Sequence, residues 1–296
     1  MKLAVFKEII FANKKSAKSW QEIVDFKKEL ENLGENLEWI YRGQSDNKEP
    51  KTLLERTIKD FGLEKEDAFD IEFALTDRFL RNLHTVDPAS PTNLSPVELF
   101  ALMQHHGAPT RLLDFTYSFY VAVFFALENF RGQTPTIWSI DALWLQDQAI
   151  NHLGKTEKEF MPGKIKEDFE KYFMKVNGKT VKRAVYQITP HLLNLRLSVQ
   201  QGTFLCPSNI NFSFMANFAA SISGLASIKD HVRILEINAK TRKEALKELY
   251  RMNITRASLF PGLTGLAQSL KQALLFPATL KVYSNKRKAL LYRTIK

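Results

Sequence analysis

The sequence predicts an α+β fold, with mixed helices around a small sheet core. Three observations lead there. Helical and strand-like segments follow one another without a regular βαβ rhythm, which argues against a doubly wound parallel sheet. Apolar residues make up 45% and charged residues 25% of 296 residues. These are ordinary proportions for a globular chain long enough to bury a core without crosslinks. No internal repeat or low-complexity tract is visible.

The first clear helix opens at "SWQEIVDFKKELENLG". Ser19 and Glu22 have capping-box spacing, Trp20, Ile23, Phe26 and Leu30 recur at helical spacing, and Gly34 is a stop. "NLEWIYRGQSD" predicts a strand over 37–41 that opens into a polar turn. A long helix is predicted over 64–83, with Phe69, Phe73 and Leu80 on its apolar side. In "LSPVELFALMQHHG" Ser95 caps, Pro96 takes the first helical position, Glu98 completes the box and Gly107 ends the helix. "TRLLDF" reads as a short strand. "YSFYVAVFFALENF" reads as a helix apolar nearly all round, hence buried.

"TPTIWSID", "AVYQI", "SVQQGTFL" and "HVRILEIN" read as strands. "ALWLQDQAI", "TRKEALKELYRM" and "GLTGLAQSLKQALL" read as helices, and Asn253 suits a left-handed cap after the second. The charged stretch over 154–182 is expected to be a peripheral insertion on one domain whose core runs from about 20 to 275. Residues 276–296 are expected to form a last strand and a basic tail.

The net charge is +10. Basic residues gather at "NKKSAK" and "SNKRKALLYRTIK". The plain reading of this balance is a solvated basic surface; it also favours anionic partners, either a small molecule or nucleic acid met through the basic tail. No zinc-finger, basic-zipper or RNA-binding aromatic signature is present. The single Cys206 allows neither a disulfide nor a Cys-based zinc site within one chain, and no metal is expected. No signal peptide or membrane-spanning stretch is read, so a soluble, cytoplasmic protein without membrane contact is expected. Nothing in the sequence sets an oligomeric state.

Familiar catalytic patterns are missing: no phosphate-binding GxxxxGK[ST], no GxSxG elbow, no HExxH. What remains is a concentration of polar groups. "QHHGAPTRLLDFTYSFYVAVFFALE" places Gln104, His105, Arg111, Asp114, Thr116 and Ser118 beside an apolar helix. Each has a structural explanation. Arg42 and Gly43 fit a turn, His105 a helix end, Asp114 an ion pair with Arg111, and Gln200, Gln201 and Gly202 a strand bulge.

Taken together, "WIYRGQ", "LMQHHGAPTRLLDFTYSFYVAVFFALE", "NLRLSVQQGTF" and "LYRMNITRASLFPGLTGLAQSL" resemble the FRG domain family, named for a Phe/Tyr-Arg-Gly motif that is Tyr41-Arg42-Gly43 here. The resemblance is read over nearly the whole chain, from about Trp20 to about Leu270. Three positions depart from the family pattern. Phe115 stands where Trp is usual. Leu205-Cys206-Pro207 follows the Gln-Gln-Gly-x-Phe stretch where a His is frequent. Gly262 and Thr264 stand where the family tends to carry acids.

The order of parts is in turn similar to an ADP-ribosyltransferase core. That likeness implies NAD as cofactor, Arg42 on its phosphates, Thr116 and Ser118 in the Ser/Thr role, and Gln200 and Gln201 at the nicotinamide pocket. Gly43 and Gln44 beside Arg42, and Gln104, His105, Arg111 and Asp114 along a rim before the apolar helix, complete the candidate set, with Asp114, His105 and Gln201 as its catalytic members and the rest ligand-binding. "QQGTFL" offers no Glu for the usual catalytic acid, which leaves Asp114 as the substitute. Two readings stand side by side: a nucleotide-binding protein with transferase-like activity and a role in bacterial or phage defence, and a non-catalytic nucleotide- or RNA-binding module using Arg42, Arg111 and the basic tail.

Overall fold

The computed structural model describes residues 3–91, 93–153, 181–190, 195–222 and 228–276. The insertion expected over 154–182 and the strand and tail expected over 276–296 lie almost wholly outside the described residues.

Among the described residues, seven strands form one mixed sheet in the order β1-β7-β4-β2-β3-β6-β5. They are β1 (Lys14–Ala17), β2 (Trp39–Gln44), β3 (Leu113–Thr116), β4 (Thr136–Asp141), β5 (Val185–Ile188), β6 (Gly202–Pro207) and β7 (Val232–Ile237). β1 runs parallel to β7 and the other pairs are antiparallel. In the first half of the chain lie α1 (Leu3–Ala12), α2 (Trp20–Glu31), α3 (Leu53–Asp60), α4 (Ala68–Val86), α5 (Pro96–His105), α6 (Phe119–Glu128) and α7 (Ala142–Leu153). The α+β expectation stands.

Helices cover both faces of the sheet, and strand alternation decides which residue goes where. Ile40 joins Phe115, Trp138 and Ile234 in a cluster with α1, α7 and the helix Phe214–Ser221. Its neighbours Trp39 and Tyr41 join Ile137 and Leu235 in a second cluster with α2, α6 and the helix Arg242–Arg251. A third cluster packs Phe100 and Met103 of α5 against Tyr186 and Phe204. α6 is apolar nearly all round because most of it is buried, from Phe119 to Leu127, with Tyr120 and Phe125 half-buried.

The helix signals behave as their chemistry dictates. α5 has the full Ser95–Glu98 capping box with Pro96 at its start, and Gly107 takes φ 85° just beyond its end. Asn253 takes φ 60° after the helix Arg242–Arg251. At α2, Ser19 caps as expected, but the Glu22 carboxylate accepts from the Lys18 amide at 2.8 Å, and the cap falls at Asn32 before Gly34 is reached.

Three expectations need correction. The strand expected to end at Tyr41 runs on to Gln44, because Arg42, Gly43 and Gln44 pair with Trp138, Ile137 and Thr136 of β4. "SVQQGTFL" is not one strand. A short helix, Leu195–Val199, comes first, Gln201 turns the chain at φ 48°, and β6 begins at Gly202. α4 does not bury the side expected of it: Phe73 is 66% exposed, while Glu72 points into the core.

Arg111 explains that inversion. It lies fully buried, not on a ligand site, and its Nε donates to both carboxylate oxygens of Glu72, at 2.8 and 3.0 Å. Its Nη2 donates to the same carboxylate, and its Nη1 to the Ser208 carbonyl at 3.2 Å. Phe69 and Phe100 pack against the guanidinium. Glu72 raises the Arg111 pKa against the opposing pull of burial. The Arg111–Asp114 pair allowed by the sequence does not form. Removing one member of a buried pair leaves an uncompensated charge. Arg111→Met is therefore expected to cost about 3–5 kcal/mol of stability in urea unfolding. The double change Arg111→Met with Glu72→Leu should recover most of that loss; a double mutant as unstable as the single one would contradict the assignment.

Candidate functional site

β2 pairs with β4 along its whole length but meets β3 at one position, Tyr41↔Thr116. Past that point the two strands separate, and the sheet forks. Arg42 spans the gap: its Nη1 donates to the main-chain carbonyl of Asp114 at 2.8 Å, so a side chain takes up an acceptor that no β2 amide reaches. Gly43 sets the other boundary. A Cβ there would lie 1.8 Å from the Ala122 carbonyl oxygen and 2.7 Å from the Ala126 nitrogen, so the backbone of α6 rests directly on β2. Only glycine permits that approach.

A cleft of about 550 Å³ opens at the fork. β2 contributes Arg42, Gly43 and Gln44, β3 contributes Asp114 and Thr116, and α6 contributes Phe125. Lys48, Lys51, Arg56, Lys59 and Arg196 join Arg42 as the cleft's cations, and Gln200 also lines it. Among the described residues, none of these six lysines and arginines is ion-paired with a carboxylate. Of the acids in the lining, Glu49 is paired with Lys7 at 2.5 Å.

Arg42 is the least satisfied group in the cleft. Its Nε is buried and has no hydrogen-bond partner. Burial lowers its pKa, Asp114 offsets part of that, and the nearby Arg56 lowers it further. A guanidinium keeps its charge at neutral pH in spite of such shifts. Asp114 is exposed, and its Oδ1 accepts from Gln104 Nε2 at 2.8 Å. Gln104 is fixed in turn by the Thr110 hydroxyl, which donates to its Oε1.

The remaining expected site residues divide by position. Thr116 donates to the Gln200 carbonyl at 2.6 Å and accepts from the Ser118 amide at 3.0 Å, which locks the start of α6. Ser118 is the α6 N-cap and does not line the cleft. Gln44 staples the following loop through Lys48 O at 2.5 Å and Asp46 Oδ1 at 3.1 Å. Gln200 donates to Leu259 O at 2.9 Å. Gln201 is exposed, and its carbonyl takes the Tyr117 amide at 2.9 Å, outside the cleft lining. His105 also lies outside that lining; burial lowers its pKa, and so do the neighbouring His106 and Arg196. The structure thus gathers Arg42, Gly43, Gln44, Asp114, Thr116 and Gln200, with Gln104 behind Asp114, and leaves Arg111, Ser118, His105 and Gln201 outside.

Sequence reasoning passed over Lys48, Lys51, Arg56, Lys59 and Arg196. One signal was available: in "LLERTIKD" Leu54 and Ile58 are spaced to face inward, which sends Arg56 and Lys59 to the other side of α3. Among the described residues, no group of three His, Cys, Asp or Glu side chains could hold a metal ion, and no helix is long and apolar enough to cross a membrane.

Fold and site together define an α+β protein with a basic cleft at a fork in its sheet. Residues 37–134, which hold the Tyr41-Arg42-Gly43 triplet, β3 and α6, match the FRG domain family model, so the chain carries an FRG domain over about a third of its length. The span read from about Trp20 to about Leu270 is corrected to that match. No curated protein and no solved structure matches the chain.

Gly43→Ala forces a methyl group onto the α6 backbone. It is expected to destabilise the protein by about 3 kcal/mol or more, above the usual range for overpacking because neither backbone can rotate away. Urea unfolding measures it, and a change within about 0.5 kcal/mol would show that β2 and α6 are not in backbone contact.

Proposed function

We propose that this cleft binds a phosphate-bearing nucleotide, with Arg42 as the anchor. The observation that carries the reading is the buried, unpartnered Nε of Arg42. A buried guanidinium nitrogen left without an acceptor is costly unless an anion completes it. Its planar fork suits two phosphate oxygens. The cleft volume of about 550 Å³ falls within the usual range for small-molecule sites, and the unpaired cations around it favour more than one negative charge.

NAD is the ligand that the resemblance suggests, and Asp114 favours a transferase-like reading over simple binding. It is a carboxylate on the cleft wall, oriented by Gln104, between Arg42 and Arg196. In that reading the bond between ribose C1′ and nicotinamide breaks, and the bond's electron pair leaves with nicotinamide. Asp114 stabilises the positive charge that develops on the ribose. The incoming water or acceptor hydroxyl bonds to C1′ and gives its proton to Asp114 or to solvent. The second reading is a non-catalytic module that holds a nucleotide or an RNA end on the same cations. A role in bacterial or phage defence fits either reading and follows from the family resemblance alone.

NAD, ATP and a short RNA should be titrated in parallel by calorimetry at two salt concentrations. Arg42→Lys is expected to weaken nucleotide binding by about 1.5–3 kcal/mol, or about tenfold to a hundredfold, while changing stability by less than about 1 kcal/mol. Binding of none of the three by the wild type would contradict the cleft reading. Asp114→Asn separates the alternatives. It should abolish slow nicotinamide release from NAD with affinity retained if the protein is a transferase. Tight NAD binding with no release by the wild type would identify a module, as would RNA binding with a steep salt slope and no NAD binding.

A further inference from the structure

The segment "TRASLFPGLTG", far outside the matched FRG span, meets the cleft through the Phe260 ring and the Leu259 carbonyl. Phe260 carries two guanidinium groups. Arg256 Cζ lies 3.6 Å from the ring centroid and Arg196 Cζ lies 4.4 Å from it. The ring also meets Phe125 of the cleft wall edge-on, with centroids 6.0 Å apart.

The two cations differ in what neutralises them. Arg256 Nη1 donates to the buried carboxylate of Glu128 at 2.7 Å, and Lys271 stands 3.6 Å from the same group. Arg196 has no carboxylate within ion-pair distance among the described residues, and it lines the cleft while Arg256 does not. Its Nη1 reaches the His105 carbonyl at 3.5 Å, too long to fix a guanidinium. The ring is therefore the main restraint on Arg196, and cation–π contact of this kind restricts a side chain without neutralising it.

Phe260 is itself held firmly. Gln200 donates to the adjacent Leu259 carbonyl at 2.9 Å, and the Arg256 amide donates to Gln272 Oε1 at 3.2 Å. Gly265 rests on the Phe260 main chain, where a Cβ would come 1.7 Å from the Phe260 carbonyl oxygen.

We propose that Phe260 is a positioning residue for the cleft: its ring holds the guanidinium of Arg196 at the rim, so that Arg196 and Arg42 grip the ligand's anionic groups from two walls. This rests on the nucleotide reading of the cleft. The physical gain is preorganisation, since a stacked arginine loses less freedom when it meets an anion.

The full-length protein tests this with ATP and NAD as probes. Phe260→Leu should weaken binding about three- to tenfold, the scale of one cation–π contact. Phe260→Tyr should restore it. In an Arg196→Gln background Phe260→Leu should cause no further loss, which a merely structural role for Phe260 would not produce. A ligand-free measurement accompanies these titrations. The Nε–Hε NMR signal of Arg196 should be shifted by the ring current in the wild type and move toward the free-arginine position in Phe260→Leu, with the Arg42 signal unchanged. Loss of the ring-current shift without loss of affinity would overturn the positioning role and leave the nucleotide reading standing. An unshifted Arg196 signal in the wild type would overturn the stack itself. Failure of the wild type to bind either probe would overturn the nucleotide reading and the positioning role with it, even with the stack intact.

Discussion

At Gly43 the backbone of α6 lies on the backbone of β2, with no space for a single methyl group. That contact fixes a helix on one face of the sheet and, through strand alternation, directs the side chain of Arg42 to the other. Tyr41, on the same face as Gly43, packs edge-on against Phe119 at the start of α6, with ring centroids 5.2 Å apart. Three consecutive residues thus seat the helix, anchor its first turn and place a cation at the fork. The polar groups beside the greasy helix follow from this. Thr116 and Ser118 secure the entry to α6, and Asp114, two residues before Thr116, falls on the cleft wall.

The fork also explains the distribution of charge. Where β2 leaves β3, a main-chain acceptor would go without a ladder partner, and Arg42 takes it. Doing so brings a guanidinium out of water with one nitrogen unpaired. A core position would demand a carboxylate there, and Arg111 shows how this chain meets that demand: fully buried, its guanidinium is paired with Glu72, whereas Arg42 is half-buried. Arg42 has no carboxylate in ion-pair contact; Asp114 and Asp46 favour its charge from farther off, and Arg56 opposes them. One arginine is fully buried and ion-paired, the other half-buried at a cleft without a carboxylate in contact, and that contrast separates a structural charge from a candidate site.

Much of the local structure was legible in the sequence because it depends on local chemistry. The Ser95, Pro96 and Glu98 start of α5 and the left-handed Asn253 are short-range effects of a few adjacent residues. What failed depended on distant partners. α4 looked amphipathic through Phe73 and Leu80, yet a buried arginine 39 positions along the chain from Glu72 draws that acid inward and turns the apolar residues out. Arg42 looked like a turn residue because β4, which extends β2 to Gln44, lies almost a hundred residues on. In the site, motif-bearing segments supplied Arg42, Asp114, Thr116 and Gln200. The rim cations from Lys48 to Lys59 were missed because the spacing of Leu54 and Ile58 tells which side Arg56 and Lys59 take, and only the fold tells what that side faces. Arg111 and His105 misled because closeness in sequence to Asp114 says nothing about the direction of a side chain.

The central claim is that the fork between β2 and β3 holds an anionic ligand on Arg42. Crystals of the full chain soaked with NAD or ATP test it most directly. The account predicts phosphate density within hydrogen-bonding distance of Arg42 Nε, with Arg196 on the facing wall. An empty fork at saturating ligand, or a nucleotide seated elsewhere with Arg42 Nε still unpartnered, would contradict it.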